Sequence, residues 1–154
     1  VRDKDYIIVD ADKQKLKGLG FTPVGIGYEV FLHPKTHDEY SLALNNNLYE
    51  ELKRRDLTIN SMAFDEDPAE YYDPFNGQED IANKLIRHTS EQFAEDPIRI
   101  LRLARFKAQL EGFEVHSSTK ELCLTMAKNK SLFSQIPGER FLLEFEKALG
   151  LKKP

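Results

Sequence analysis

The sequence predicts a small α/β domain followed by a helical segment, and three observations carry that prediction. Up to about residue 88, short apolar runs rich in branched residues alternate with glycine and proline, the pattern of brief strands between turns. From about residue 90 the apolar positions recur at spacings of three and four instead, as on one face of a helix. Near that change stands Asp96-Pro97, a carboxylate able to cap a helix followed by proline where the first helical residue belongs.

The elements follow in order. DYIIVD, branched residues flanked by charge, predicts a buried strand. Residues 11–19 predict a short helix ended by Gly18 or Gly20. FTPVGI and YEVFLHP predict two strands separated by glycine, and HDEYSLAL alternates well enough for a third. YEELKRRDLTINSMAF begins as a helix or turn and runs into an apolar stretch. EYYDPFNGQEDIANKLI carries turns at Asp73-Pro74 and Asn76-Gly77 before a short helix. IRILRLARFKAQLEG predicts a helix stopping near Gly112, and KELCLTMAKNK and GERFLLEFEKALG predict two more. The expected division is residues 1–88 and residues 89–154.

Composition narrows the class. Of 154 residues, 40% are hydrophobic and 31% charged, as in ordinary globular proteins. No apolar run approaches the roughly 18–20 residues of a membrane span, and the opening VRDKDYIIVD lacks the layout of a secretory signal. The single cysteine, Cys123 in ELCLTMA, has no internal disulfide partner and suits a buried small hydrophobe. A cytoplasmic location is expected. The net charge of −4 does not announce a nucleic-acid binder, although local patches decide docking. Lys53-Arg54-Arg55 and the series Arg99, Arg102, Arg105, Lys107 are two such patches, each also readable as a solvated face.

Three constellations are candidates for chemistry. Asp3 and Asp5 lie two apart on a strand and project to the same face. Paired carboxylates repel unless a cation sits between them, and Mg²⁺ is held by one or two carboxylates plus water and phosphate oxygens. The same pair also fits a charged strand terminus. In KRRDLTIN, Arg55 can grip a phosphate bidentately. Asp56 can accept from a sugar hydroxyl or orient the arginine, and Asn60 offers an amide of both polarities; the alternative is a surface turn with a local ion pair. In EDPIRILRLARF, Asp96, Arg99 and Arg102 fall three apart on one helical stripe. There a carboxylate beside a guanidinium can pair with a base edge, or Asp96 simply caps the helix and pairs with Arg99.

Taken together and in this order, these segments resemble the class II tRNA nucleotidyltransferases, the bacterial CCA-adding enzymes, and the related poly(A) polymerases. VRDKDYIIV resembles the catalytic Asp-x-Asp strand, LKRRDLTINSMAFD the arginine–aspartate motif and YYDPFNGQEDI the Asp-Pro-x-x-Gly turn. EDPIRILRLARF resembles the nucleotide-selecting helix and PGERFLLEFEKAL the neck motif. The resemblance implies an α/β (α+β) nucleotidyltransferase head with a small mixed sheet, incomplete at its N-terminus, followed by an all-helical neck. It implies that Asp3 and Asp5 hold Mg²⁺, with Glu39 a third catalytic carboxylate. Arg55, Asp56 and Asn60 would contact triphosphate and sugar. Asp96 and Arg99 would form a protein template for C or A, with Arg102 supporting the nucleotide. The implied partners are the tRNA 3′ end, CTP and ATP, with no membrane and no protein partner.

The chain departs from the family pattern in two places. The family's Gly-Gly-x-x-Arg-Asp loop, which helps hold triphosphate, is not present before Asp3. Where the family carries an Arg-x-Glu and a long flexible loop, this sequence has SLALNNNLYEEL. Poly(A) polymerases tend to carry a basic Gly-Arg-Arg/Lys-Phe segment where this chain reads GIGYEVFLHP, which favours the tRNA enzyme. CC- or A-adding specialists and a non-catalytic nucleotide- or tRNA-binding module are the other readings.

Overall fold

The computed structural model describes residues 5–24, 30–134 and 136–150. The chain divides into two compact units, Val1–Glu51 and Leu52–Pro154.

The first unit is built on a four-stranded mixed sheet. Strand β1 (Asp5–Ile8) is followed by helix α1 (Lys13–Gly18), then β2 (Thr22–Val24), β3 (Val30–Leu32) and β4 (Glu39–Leu42), in the spatial order β1-β4-β3-β2. β1 and β4 are parallel; the other pairs are antiparallel. Asp12 caps α1, accepting from Lys15 N at 2.8 Å, and the helix gives way to Gly20 at φ +88°, where the absence of a Cβ removes the steric penalty. One sheet face is aromatic. Tyr6 and Tyr40 are register partners whose rings stack at 4.5 Å, and Phe21 meets Tyr40 edge-on at 5.1 Å. Phe31, opposite Tyr40, is fully buried.

The asparagine run after β4 has a local explanation. Asn45 and Asn46 both take positive φ in a 3₁₀ turn at Leu44–Asn46, a region that asparagine enters more readily than other non-glycine residues. Asn46 accepts from Asp10 N at 2.6 Å. Asn47 then accepts from Glu50 N at 3.3 Å, capping α2 (Leu48–Lys53).

In the second unit a 3₁₀ turn at Thr58–Asn60 precedes a hairpin, β5 (Ala63–Asp65) and β6 (Glu70–Tyr72), and then α3 (Gly77–Ala82). Asp73 anchors the start of α3 by accepting from Gly77 N at 2.7 Å and Gln78 N at 2.8 Å. β7 (Leu85–Ile86) pairs in parallel with β8 (Glu114–Val115). Between these strands run a 3₁₀ turn (Glu91–Glu95) and α4 (Ile98–Gln109); α5 (Ser117–Lys128), α6 (Lys130–Phe133) and α7 (Gly138–Leu149) follow. The change in sequence character near residue 88 therefore falls inside this unit. Leu57, Ile86, Phe93, Leu103 and Met126 form its core, with Cys123 packed against them. Burial pushes the Cys123 thiol up, so it stays protonated and inert.

At the start of α4, Asp96 is extended and Pro97 already helical, at φ −64° and ψ −18°. The expected cap is present, because Asp96 Oδ1 accepts from Ile98 N at 3.3 Å. α7 packs on α4 with an inverted pattern: Glu144 is buried, while Phe141, Leu142, Phe145 and Leu149 are exposed.

Candidate nucleotide-binding site

Asp3 lies outside the described residues. Asp5 and Glu39 are register partners on the parallel strands β1 and β4, so both side chains leave the same face of the sheet, across an interstrand spacing of about 4.8 Å. Both are exposed, and neither has an ion-pair or hydrogen-bond partner among the described residues. Such a pair of hard oxygen donors, otherwise left in mutual repulsion, fits a divalent cation such as Mg²⁺.

The arginine–aspartate motif lies in the second unit, held rigid by the strand-like segment after β7. Thr58 N donates to Arg87 O at 3.0 Å and Thr89 N to Asp56 O at 3.1 Å. Asp56 is buried, 6% exposed, and fully engaged. Its Oδ1 accepts from Leu57 N at 2.9 Å and from Asn60 Nδ2 at 3.2 Å. Its Oδ2 accepts from Arg102 Nε and Nη2, both at 2.7 Å. Four donors fill the roughly four acceptor positions of a carboxylate, so Asp56 orients its neighbours and has no acceptor left for a sugar. Because a carboxylate only accepts, Asn60 must turn its NH₂ toward Asp56 and present Oδ1 outward. Arg55 gives one bond, Nη1 to Asn60 O at 3.1 Å, and keeps its other donors.

Arg102 is held at both ends. Its third nitrogen, Nη1, donates to Glu144 Oε1 at 3.3 Å. Arg105 Nε donates to Glu144 Oε2 at 2.8 Å, and Lys147 stands 3.7 Å from Oε1. Burial alone would raise the Glu144 carboxyl, but Arg105, Arg102 and Lys147 together hold it below its ordinary value. Burial likewise works against charge on Arg102, but Asp56 and then Glu144 raise its pKa overall. The basic series on α4 is thus largely paired: Arg102 and Arg105 hold buried carboxylates, and Lys107 meets the exposed Glu114 at 2.7 Å.

Asp96 and Arg99 are engaged separately. Arg99 Nη1 donates to Gln92 O at 2.7 Å and Nη2 to Arg54 O at 2.5 Å; burial lowers its pKa, with Asp96 the leading opposing charge. Asp96 Oδ2 accepts from Arg140 Nη2 at 2.6 Å. The carboxylate and guanidinium are neighbours in the field but are not hydrogen-bonded to each other.

Residues 26–87 match the poly A polymerase head domain. The whole chain aligns at 41% identity with a CCA-adding enzyme of Coxiella burnetii, over 45% of that protein. Over its whole length the chain is similar to the family of tRNA nucleotidyltransferases and poly(A) polymerases. Among solved members of this nucleotidyltransferase family, a Bacillus stearothermophilus CCA-adding enzyme in complex with CTP superposes with a TM-score of 0.67 at 31% identity, covering 85% of this chain and 35% of that one. A Thermotoga maritima CCA-adding enzyme complexed with tRNA gives 0.79 at 25% identity, covering 99% and 39%. The chain spans less than half the length of the curated relative. That alignment occupies 173 positions against the 154 residues of this chain, so the relative carries residues inside the aligned span that this chain lacks. No described helix is long and apolar enough to cross a membrane.

Glu144 is not singled out by the sequence, and Arg105 is read there only as one of a basic series. The signal was present: Arg99, Arg102 and Arg105 at successive spacings of three cannot share a half-buried stripe without counter-charge, and α7 offers Glu144.

Proposed function

We propose that the protein adds C and A nucleotides, from CTP and ATP, to the 3′ end of tRNA in the cytoplasm. The observation that carries this reading is the fixed turn of Arg55, Asp56 and Asn60, locked to the selecting helix through Arg102, in a chain whose relatives are CCA-adding enzymes. The tRNA 3′-hydroxyl attacks the α-phosphate of the nucleotide, and pyrophosphate leaves. Asp5 and Glu39, with Asp3, would hold Mg²⁺, which when bound acidifies the attacking hydroxyl and offsets charge on the leaving group. Arg55, with donors to spare, grips the triphosphate, and Asn60 Oδ1 accepts from the sugar. Asp96 and Arg99 read the base edge once Arg99 exchanges its carbonyl contacts for the nucleotide. Wrong bases are rejected because they leave these half-buried groups unpaired. Functionally we divide the chain into a head, 1–88, and a nucleotide-selecting neck, 89–154.

The test is calorimetric titration of CTP with and without Mg²⁺. Binding is expected to tighten with Mg²⁺ in the unaltered protein and to lose that dependence in Asp5→Ala. Equal affinity with and without the ion in the unaltered protein would contradict the assignment.

A further inference from the structure

We infer that Glu144 is a positioning residue for nucleotide recognition, acting from α7 through Arg102 and Asp56 on Asn60. This rests on the proposed reading of Asn60 as the acceptor for the nucleotide's sugar.

The chain of contacts is continuous. Glu144 is 6% exposed and takes Arg102 Nη1 on Oε1 and Arg105 Nε on Oε2. With Nη1 held there, the other two nitrogens of Arg102 converge on Asp56 Oδ2. The other oxygen of Asp56 fixes the amide of Asn60. A guanidinium is planar, so fixing one edge sets the direction of the other. Arg102, gripped by a buried carboxylate at each end, is therefore a strut rather than a nucleotide contact. Arg105 also stacks over Phe106, 4.4 Å from its ring centroid, which holds the second cation of the pair against α4.

A carboxylate kept only for stability has no such requirement. It would serve as well bound to Arg105 alone, and its removal would leave sugar preference unchanged. The strut instead carries the position of α7 to the amide that reads the sugar. Without Glu144, Arg102 is free to swing away from Asp56, and Asn60 loses the partner that selects its rotamer.

The experiment is calorimetric titration of CTP and 2′-deoxy-CTP, with Mg²⁺, into the unaltered protein and its variants, with a thermal unfolding scan of each. A hydrogen bond to the hydroxyl gives the unaltered protein about a tenfold preference for CTP. In Glu144→Gln that preference should fall to about threefold or less while CTP still binds. Glu144→Asp, which keeps the charge with a shorter reach, guards against a variant that does not fold and should give an intermediate value. Glu146→Gln, on the same helix, should keep the full preference. In an Asn60→Ala background, Glu144→Gln should have no further effect on the ratio. An unchanged ratio in folded Glu144→Gln and Glu144→Asp, or a full additional loss on top of Asn60→Ala, would overturn the inference. Failure of the unaltered protein to bind CTP, or equal binding of the two nucleotides by it, would instead overturn the underlying reading of the site.

Discussion

Arg99 illustrates how much of this site is held by backbone. Two of its donors satisfy the carbonyls of Gln92 and Arg54, so Arg99→Ala should cost about 1–3 kcal/mol of stability from orphaned acceptors. The larger effect belongs to selection. Incorporation measured separately with each of the four triphosphates should lose discrimination by about tenfold or more, the worth of a good base-edge contact, with a smaller loss in the rate for the correct one. Equal loss with all four would contradict the template role. Glu144 gives a second prediction. Its carboxyl is held below the ordinary value, so the unfolded chain takes up the proton first as pH falls. The stability it contributes is complete above the unfolded pKa of about 4.3. It disappears as pH drops from there through the lower folded value. Acid unfolding of Glu144→Gln, compared with the unaltered protein, should lack that component below about pH 4.3; identical acid limbs would contradict it.

At the scale of elements, the starts and stops of helices were the most legible features. Asp96-Pro97, Gly112 and Gly150 bracket α4 and α7 because caps and glycine act locally, through one or two residues. The two-residue β7 and β8 were not legible, since a pair so short is defined by its partner rather than by any period of its own. The β5–β6 hairpin was missed for a related reason: its exposed Phe64, Tyr71 and Tyr72 break the apolar-in, polar-out alternation that marks a strand. α7 misleads in the opposite sense. Its apolar stripe suggests the core face, yet the arginines of α4 draw Glu144 inward. Gly77 supplies the prediction at this scale. A Cβ there would collide with Thr58 O and the Met62 side chain, forcing α3 away from the turn that carries Asn60. Gly77→Ala should therefore lower stability by about 1–3 kcal/mol and weaken CTP binding, read by denaturant unfolding and by titration. A variant as stable and as tightly binding as the unaltered chain would remove the role given to that contact.

For the whole molecule, the sequence and the structure agree on class, a small mixed sheet with helices and then a mainly helical segment; the two-residue strand β8 departs from the all-helical neck expected. The site was legible in its residue types, because a carboxylate pair, an Arg-Asp-x-x-x-Asn turn and an Asp-x-x-Arg-x-x-Arg helix each have few chemical uses. Which of these residues meet the nucleotide and which hold others in place was not legible. We place Asp56 and Arg102 in the second group because the four acceptor positions of Asp56 are filled and all three nitrogens of Arg102 are engaged by carboxylates. The acidic net charge bears on bulk association, whereas docking of a nucleic acid is decided by local patches. The most direct measurement is nucleotide incorporation into tRNA lacking its CCA end, with Mg²⁺ and with CTP alone, ATP alone and both. Two C residues are expected from CTP and one further A when ATP is present, after which addition stops. Long runs of A, or nucleotide bound with none incorporated, would contradict the proposed function.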